Sequence, residues 1–292
     1  MTTLETTSKP VKPVEAAPSK TRPRWIPSAS PKNLITLLIT LILVVGEWTY
    51  GAIGGWEKLA LTLGTCVAVE VALSYFLLGR FPMIQSAYIT GVSLTILVRP
   101  AAGIVWPFVV GAALSITAKY VLRYRDRHLW NPSNFGLSVL ILLAPTKVAL
   151  LSHELGNDVL GNAVIWFVGI LVATKAKVLH ITLSYAASFS LLALLRSSLT
   201  GAPLLAEVAP LTGPMYQLLC FFMLTDPRTI VASKRGQVVT VVLIAVVETA
   251  LRLGNDFHVP GAAMFAPAPA ILALFIVGPI AFYLDLRKRP AR

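Results

Sequence analysis

The sequence predicts an all-α polytopic membrane protein with about ten transmembrane helices in two inverted five-helix repeats. Three observations predict this fold class. Hydrophobic residues make up 56% of the 292 residues and charged residues only 13%, whereas soluble domains carry about 25% charged residues. The hydrophobic residues are gathered in apolar runs, and prolines recur at matching places in the two halves of the chain. Composition and patterning therefore favour a membrane protein over a soluble domain.

Ten apolar runs define the predicted helices. They lie at about 34–50, 59–78, 83–98, 101–121, 132–145, 159–174, 179–195, 214–225, 236–252 and 260–283. A helix that spans the hydrocarbon needs about 20 residues. The runs at 132–145 and 214–225 are too short on this count, and the run at 83–98 is marginal. We therefore predict that these three helices stop inside the membrane.

The regions outside the runs set the domain organisation. Residues 1–32 are rich in Pro, Ser, Thr and Lys, which predicts a disordered cytoplasmic tail. We predict no cleaved signal peptide, because the first run from Leu34 is suited to act as the targeting segment itself. The two five-helix halves are predicted at 33–150 and 151–286, followed by a basic cytoplasmic end at 287–292.

Positive charge predicts the orientation. If the N-terminus is cytoplasmic and every run crosses, 19 of the 25 lysines and arginines lie on the cytoplasmic side and 5 on the other. This bias follows the positive-inside rule and predicts that both termini lie in the cytoplasm. We expect the protein in a bacterial inner membrane. The net charge of +12 is spread over short clusters between apolar runs. It therefore predicts contact with the lipid bilayer and not with nucleic acid.

Proline placement predicts the internal repeat. The spacing from Pro100 to Pro227 is within one residue of the spacing from Pro132 to Pro260, and one long apolar run lies inside each pair. Five crossings per half make the halves inverted in the membrane, and short, proline-interrupted segments at matching positions predict a binding site near the midplane. A helix that stops there leaves backbone groups unpaired, which is tolerated only against protein or a polar cavity.

Three ionisable residues stand out within the apolar runs. They are Glu70 in VAVEVAL, Lys119 in SITAKYV and Glu248 in AVVETAL. A charge near the bilayer centre costs ~2.5–3.5 kcal/mol or more, so such residues are candidates for ion or proton transfer. The alternative for each is a structural partner for another polar group, and Lys119 has the further option of extending to the interface.

The stretch HLWNPSNFGL at 128–137 has polar residues where a charged loop turns into an apolar helix. Asn131 before Pro132 fits a helix N-cap, since proline suits the first helical turn. Capping explains less well why Asn134 and Gly136 follow so soon. Our interpretation is the N-terminus of a half-helix whose amides face a cavity between the halves.

The segment MLTDPRT follows the short eighth run and supplies Asp226 and Arg228. Asp-Pro is an ordinary turn dipeptide, so turn chemistry is the alternative to a site. His258 in DFHVPG holds the repeat position equivalent to Asn131 or Trp130, and the alternative for it is a loop histidine. No P-loop, GxSxG, HExxH or dinucleotide motif is present, so no catalytic residue and no metal ligand is predicted.

Taken in order, four segments carry a family resemblance: SAYITGVSLTILVRP, H-x-x-NPSN-x-G, FFMLTDPRT and DFHVPGAAMFAPAPAILAL. Together they resemble the RnfD/NqrB family. Its members are membrane components of the Rnf electron-transport complex and of the homologous sodium-translocating NADH:quinone reductase. The resemblance extends over about residues 34–285. The chain is also similar to small stand-alone relatives of RnfD, including membrane proteins of enediyne-biosynthesis clusters.

The resemblance implies a urea-transporter-like arrangement, flavin bound in the membrane, partner electron-transfer subunits, and electron transfer coupled to sodium or proton movement. Relatives that carry covalent FMN attach it to a threonine in a long loop after the fifth helix. Here that loop is only about 146–158, and its single threonine is in the wrong context. We therefore predict no covalent FMN-threonine, and any FMN or riboflavin is expected to bind non-covalently.

The predicted function is an integral membrane subunit of an ion-translocating oxidoreductase, with flavin or quinone between the halves. The alternatives are a small-solute or ion transporter on the same scaffold and a membrane accessory protein without chemistry. Candidate ion-pathway residues are Glu70 and Glu248. The candidate cofactor-binding residues are Lys119, His128, Asn131, Ser133, Asn134, Thr225, Asp226, Arg228, Thr229 and His258.

Overall fold

A computed structural model describes residues 31–51, 53–150 and 159–289. Within these ranges the chain forms eleven α-helices and two short antiparallel ribbons, each of two strands. The predicted tail lies outside them up to residue 30, as do His153 with most of the loop at 146–158 and the last three residues of the basic end.

The long helices occupy the apolar runs. The helices are α1 (Pro31–Tyr50), α2 (Trp56–Leu78), α3 (Gln85–Leu97), α4 (Trp106–Val121), α5 (Pro132–Leu143), α6 (Val159–Lys175), α7 (Leu179–Thr200), α8 (Leu204–Val208), α9 (Pro214–Leu218), α10 (Lys234–Asp256) and α11 (Pro269–Lys288). One π-helical turn (Leu219–Met223) continues α9. The strands are β1 (Val98–Pro100), β2 (Arg123–Tyr124), β3 (Arg127–His128) and β4 (Val148–Leu150).

Four of the described helices, α2, α7, α10 and α11, are long and apolar enough to cross a membrane. Large apolar side chains on the outer surface are exposed, among them Phe76, Phe167 and Leu191. Such side chains are costly in water and favourable in lipid. The fold is therefore that of an all-α membrane protein, which confirms the predicted class at this level.

Each of the ten apolar runs contains a helix, but several ends differ, and α4 for instance begins at Trp106 and not at 101. The seventh run was predicted to stop before Arg196, but α7 continues to Thr200 and buries that arginine. The tenth run was predicted from Pro260, but α11 begins at Pro269. Residues before it form a turn and a short 3-10 helix, because Gly261 has a left-handed φ of 82° and Pro269 suits a first helical turn.

The helices α3 and α5 have 13 and 12 residues, as the short runs predicted. Both are followed by extended chain, and β1 pairs with β4 in antiparallel register, with Val98 opposite Leu150. This pairing gives hydrogen-bond partners to the extended backbone that follows each helix. The short ribbon thus allows two half-length helices to end side by side.

Small residues allow α4 and α5 to pack closely. A Cβ placed on Gly136 of α5 would lie 2.0 Å from the Ser115 hydroxyl and 2.7 Å from the Gly111 carbonyl oxygen, both on α4. Close approach of small residues is the usual basis of helix association in membranes, where hydrophobic exclusion from water is absent. This contact determines where the N-terminus of α5 lies.

Candidate functional site

A polar crevice lies at the end of the bundle where α4 ends and α5 begins. Its volume is about 300 Å³, at the lower limit of the range of ~300–1,000 Å³ that is usual for small-molecule sites. A smaller cavity of about 140 Å³ adjoins it and shares Ser86, His128 and Arg228 with it. We call the two together the basic-end crevice. The polar side chains of the larger part are Glu70, Ser74, Arg80, Ser86, Lys119, Tyr120, Arg123, Asp126, His128 and Arg228.

A tight hairpin brings several of these side chains over the crevice. Strands β2 and β3 pair with Arg123 opposite His128. The two connecting residues, Arg125 and Asp126, both have positive φ, at 47° and 62°, as the tight hairpin turns that fit strand twist require. Arg127 then donates to the carbonyl oxygens of Pro227 and Arg228 at 2.9 Å. The hairpin therefore holds the segment after the π-helical turn against β3.

Asn131 is both the helix cap and a part of the crevice. Its side-chain oxygen accepts a bond from the Asn134 backbone N–H at 3.1 Å, which is the N-cap contact predicted from the sequence. Its amide nitrogen donates to the Asp226 carboxylate at 3.0 Å. Asp226 in turn accepts from the Arg228 backbone N–H at 3.0 Å and from the Thr229 hydroxyl at 3.3 Å. Cap and turn are thus joined in one network.

Replacing Asn131 with leucine is expected to remove both contacts at once. Loss of an N-cap costs about 1 kcal/mol, and a hydrogen bond to a charged group contributes about 1.5–3 kcal/mol. We expect the Asn131→Leu variant to lose roughly 2–3 kcal/mol of unfolding free energy, measured by denaturation in detergent micelles. Asn131→Asp keeps the cap but places two carboxylates together, so equal stability of Asp and wild type would show that the Asp226 contact contributes little.

Glu70 forms the inner wall of the crevice. It is 2% exposed, and its Oε1 accepts bonds from the Lys119 ammonium and, at 3.0 Å, from the Tyr120 hydroxyl. Lys119 also donates to Ser86 at 3.2 Å. The Glu70 Oε2 atom is buried and has no hydrogen-bond partner within the described parts of the chain. A buried unpaired carboxylate oxygen is costly, so this atom is a place where a donor would bind favourably.

Positive charge exceeds negative charge around the crevice. Three carboxylates, Glu70, Asp126 and Asp226, face four cationic side chains: Arg80, Lys119, Arg123 and Arg228. Burial lowers the pKa of His128 to about 4, against an opposite and smaller influence of the Asp226 carboxylate. His128 is therefore neutral at pH 7 and adds hydrogen-bonding capacity but no charge.

The crevice collects many of the predicted cofactor-binding residues. Lys119, His128, Asn131, Ser133, Asp226 and Arg228 line one or both of its parts. Thr229 bonds to Asp226 beside them. Thr225 is buried in the turn after the π-helical turn and donates to the Phe221 carbonyl. Asn134 donates to the Ile271 carbonyl of α11 at 2.8 Å and is 1% exposed. Its amide therefore joins α5 to α11, and Asn134 also lines a small cavity between α5, α10 and α11.

Two of the predicted residues lie away from the crevice. His258 is exposed in the turn that follows α10, with a positive φ of 52°. Glu248 lies near the end of α10 and is fully buried. It accepts bonds from the hydroxyls of Tyr185, at 2.5 Å, and Tyr216, and from the Arg252 guanidinium at 3.0 Å. His258 therefore does not share the surroundings of Asn131 that its repeat position suggested.

A second buried cluster contains residues that sequence reasoning missed. Arg196 is 0% exposed; it donates to the Glu207 carboxylate at 2.7 Å and to the Thr249 hydroxyl at 3.1 Å. Arg196 lies beyond the seventh predicted run and Arg252 is the last residue of the ninth, but both lie inside helices. Gly201, which ends α7 in the left-handed conformation, is the signal that would have placed Arg196 inside the helix. Arg80, Arg123 and Tyr120 were missed at the crevice, because nothing local distinguishes them from interfacial residues.

The crevice is built from hydrogen-bond donors and cations on several helices, and the second cluster is closed and internally paired. No family model matches this chain. No curated protein matches it either. The free cysteines Cys66 and Cys220 are buried in apolar surroundings. Within the described ranges, no group of three or more His, Cys, Asp and Glu side chains is placed to hold a metal ion.

Proposed function

We propose that this chain is an integral membrane subunit of an electron-transport system that binds flavin non-covalently in the basic-end crevice. The observation that carries the proposal is the excess of cationic side chains around a space of ligand size at the end of a helical bundle. The resemblance to the RnfD/NqrB family adds the expectation of flavin. Partner proteins are included in the proposal, because electrons must enter and leave.

The residues of the crevice suit a flavin. Asp226 and Asn131 offer polar groups for a ring edge, Phe222 of the smaller cavity offers apolar contact, and Arg228 lies between the two parts. A bound flavin supplies the electron chemistry, and the protein supplies its placement and potential. The described residues favour non-covalent binding at this end of the bundle, where arginines provide charge without a covalent link.

The arrangement of ten spans in two inverted halves belongs to the same proposal. Corresponding helices pack alike: α2 against α4 and α4 against α5 in one half, α7 against α10 and α10 against α11 in the other. The halves meet through α1 with α6 and through α5 with α11, which are again corresponding pairs. We propose that the crevice faces the cytoplasm of a bacterial cell, because its end of the bundle carries the basic residues.

The test is the visible spectrum of the full chain purified in detergent. We expect flavin absorbance that passes into the filtrate when the protein is denatured, because the flavin is not covalently attached. Reconstitution of flavin-free protein with FMN should restore the bands. A protein that is colourless as purified and does not bind added flavin would refute the proposal.

An ion or solute transporter on the same scaffold is the second candidate. One observation favours it: each half carries a buried carboxylate, Glu70 near one end of α2 and Glu248 near the opposite end of the bundle in α10. Buried acids at such positions are a usual feature of ion pathways. A colourless protein that conducts protons or sodium in liposomes under an imposed potential, and loses conduction in Glu70→Gln, would establish this candidate in place of the first.

A further inference from the structure

The inner wall of the basic-end crevice, formed by Glu70, and its rim, formed by Arg80, Arg123 and Arg228, favour different chemical groups on a ligand. On the inner wall, the Glu70 Oε2 atom lacks a hydrogen-bond donor, while Lys119 and Tyr120 satisfy Oε1. Because buried polar atoms are usually hydrogen-bonded and Glu70 lines the crevice, a ligand that donates a hydrogen bond suits this carboxylate. A group that only accepts hydrogen bonds, such as a quinone carbonyl, does not satisfy this atom. Hydroxyl groups do, because they donate.

The rim demands negative charge. Neither Arg80 nor Arg228 forms an ion pair with any described residue. Arg123 donates to the Asp126 backbone carbonyl at 2.7 Å, but it lies 4.0 Å from the Asp126 carboxylate, which is fully exposed. A guanidinium offers several donors in a planar fork that matches phosphate. Three arginines facing one space therefore favour a dianionic group and disfavour a metal cation.

Local structure holds the first of these arginines in place. Helix α2 ends at Gly79 in the left-handed conformation, with φ of 62°. The Ser74 hydroxyl donates to the Arg80 carbonyl at 2.7 Å, which folds the chain back over the end of the helix. Arg80 and Ser74 line the crevice together with Glu70, one helical turn deeper on α2. The Glu70 carboxylate, which can accept a hydrogen bond, and the Arg80 guanidinium, which can bind an anion, are thus held by the same part of the chain.

We infer that the basic-end crevice binds a polyol phosphate, with hydroxyl groups donating to Glu70 and the phosphomonoester held by Arg80, Arg123 and Arg228. This inference rests on the proposed function in one respect: the ribityl phosphate of FMN is such a group. It deepens that proposal, because it requires FMN and disfavours riboflavin. The ring then extends toward the smaller cavity beside Asp226 and Phe222.

Calorimetric titration of the flavin-free full chain in detergent tests the inference, with FMN, riboflavin and ribitol 5-phosphate as probes. We expect FMN to bind at least tenfold more tightly than riboflavin, and ribitol 5-phosphate to compete with FMN. In Arg80→Gln and Arg228→Gln the FMN advantage should fall several-fold. Arg235→Gln is the matched control, because it removes an exposed arginine at the same end that does not line the crevice.

Glu70→Gln separates the inner wall from the rim. We expect it to weaken FMN and riboflavin by a similar factor, because both carry the ribityl hydroxyls, and to leave their ratio unchanged. A change confined to FMN would overturn the assignment of Glu70 to the hydroxyl groups. Thermal unfolding of each variant without ligand shows whether the fold is retained. Lys119→Arg is a second variant, which keeps the positive charge that pairs with Glu70.

The outcomes distinguish this inference from the proposed function. Equal affinity for FMN and riboflavin would overturn the phosphate site and leave flavin binding intact. Binding of ribitol 5-phosphate with neither flavin bound would support the phosphate site and overturn the flavin proposal. If Arg235→Gln lowers the FMN advantage as much as Arg80→Gln and Arg228→Gln do, the arginines act by general electrostatic attraction. This result would overturn the inference. Binding of none of the three probes would overturn both.

Discussion

Replacing Gly136 with alanine is expected to destabilise the protein severely. The added Cβ would lie 2.0 Å from the Ser115 hydroxyl and 2.7 Å from the Gly111 carbonyl oxygen. The second contact is with helix backbone, so α4 and α5 must move apart. Overpacking of this kind costs about 1–3 kcal/mol, occasionally more, and we expect a value at or above the upper limit. The measurement is the free energy of unfolding in detergent micelles.

Gly64 offers a matched control for this change. It lies within α2, and a Cβ added there meets nothing within 4 Å. Alanine is favoured over glycine inside a helix by about 1 kcal/mol, so Gly64→Ala should be neutral or stabilising. The double variant Gly136→Ala/Ser115→Gly should recover only part of the loss, because the Gly111 carbonyl contact remains. If Gly136→Ala unfolds like Gly64→Ala, the close packing of α4 and α5 is wrong.

The Gly136 contact also bears on the crevice. Helix α5 begins at Pro132, one turn before Gly136, with its cap Asn131 bonded to Asp226. A shift of α5 away from α4 would displace this cap relative to Lys119 on α4. We therefore expect Gly136→Ala to weaken ligand binding at the crevice even in the fraction of protein that folds.

Replacing Arg196 with methionine is expected to cost about 3–5 kcal/mol, the range for breaking a buried ion pair. Arg196 is 0% exposed and donates to both the Glu207 carboxylate and the Thr249 hydroxyl. Methionine retains volume but leaves the carboxylate of Glu207, whose side chain is only 15% exposed, without its partner. Thermal unfolding in detergent should show a large drop in melting temperature.

Two further variants test the cause of this loss. Arg196→Met/Glu207→Gln removes the charge left behind and should recover a substantial part of the stability. Arg289→Met breaks a pair with Asp285 whose side chains are 33% and 23% exposed, and such pairs contribute roughly 0–1 kcal/mol. Similar losses in Arg196→Met and Arg289→Met would contradict the importance of burial.

The buried clusters around Glu248 and Glu70 differ in whether both carboxylate oxygens have hydrogen-bond partners. Around Glu248 both carboxylate oxygens are bonded, to tyrosine hydroxyls and to Arg252. Around Glu70 one oxygen is bonded twice and the other lacks a partner beside a space of about 300 Å³. The closed cluster is suited to joining α7, α9 and α10. The open cluster is suited to receiving a ligand, and for this reason the proposed site lies at Glu70.

The membrane class, the positions of ten helical segments and the short lengths of α3 and α5 follow from the amino-acid sequence alone. These properties are local: the thickness of the bilayer sets the length of an apolar run, and charge ends it. The cap at Asn131 was also predictable, since it depends on neighbouring residues only. The predicted seventh helix ended before Arg196, because a charged residue usually marks the end of an apolar run. The ion pair of Arg196 with Glu207 is not apparent from the sequence.

Which polar residues contact each other depends on how the helices pack. Glu70 and Lys119 are 49 positions apart in sequence, Asn131 and Asp226 are 95 apart, and Asn134 and Ile271 are 137 apart. No local pattern encodes these pairings, because they depend on how α2, α4, α5 and α11 pack. That packing also placed Arg80 and Arg123 on the crevice and left His258 away from it. Whether a residue lies in a helix is largely set by its neighbours in the sequence. The partner that stabilises its charge comes from another helix.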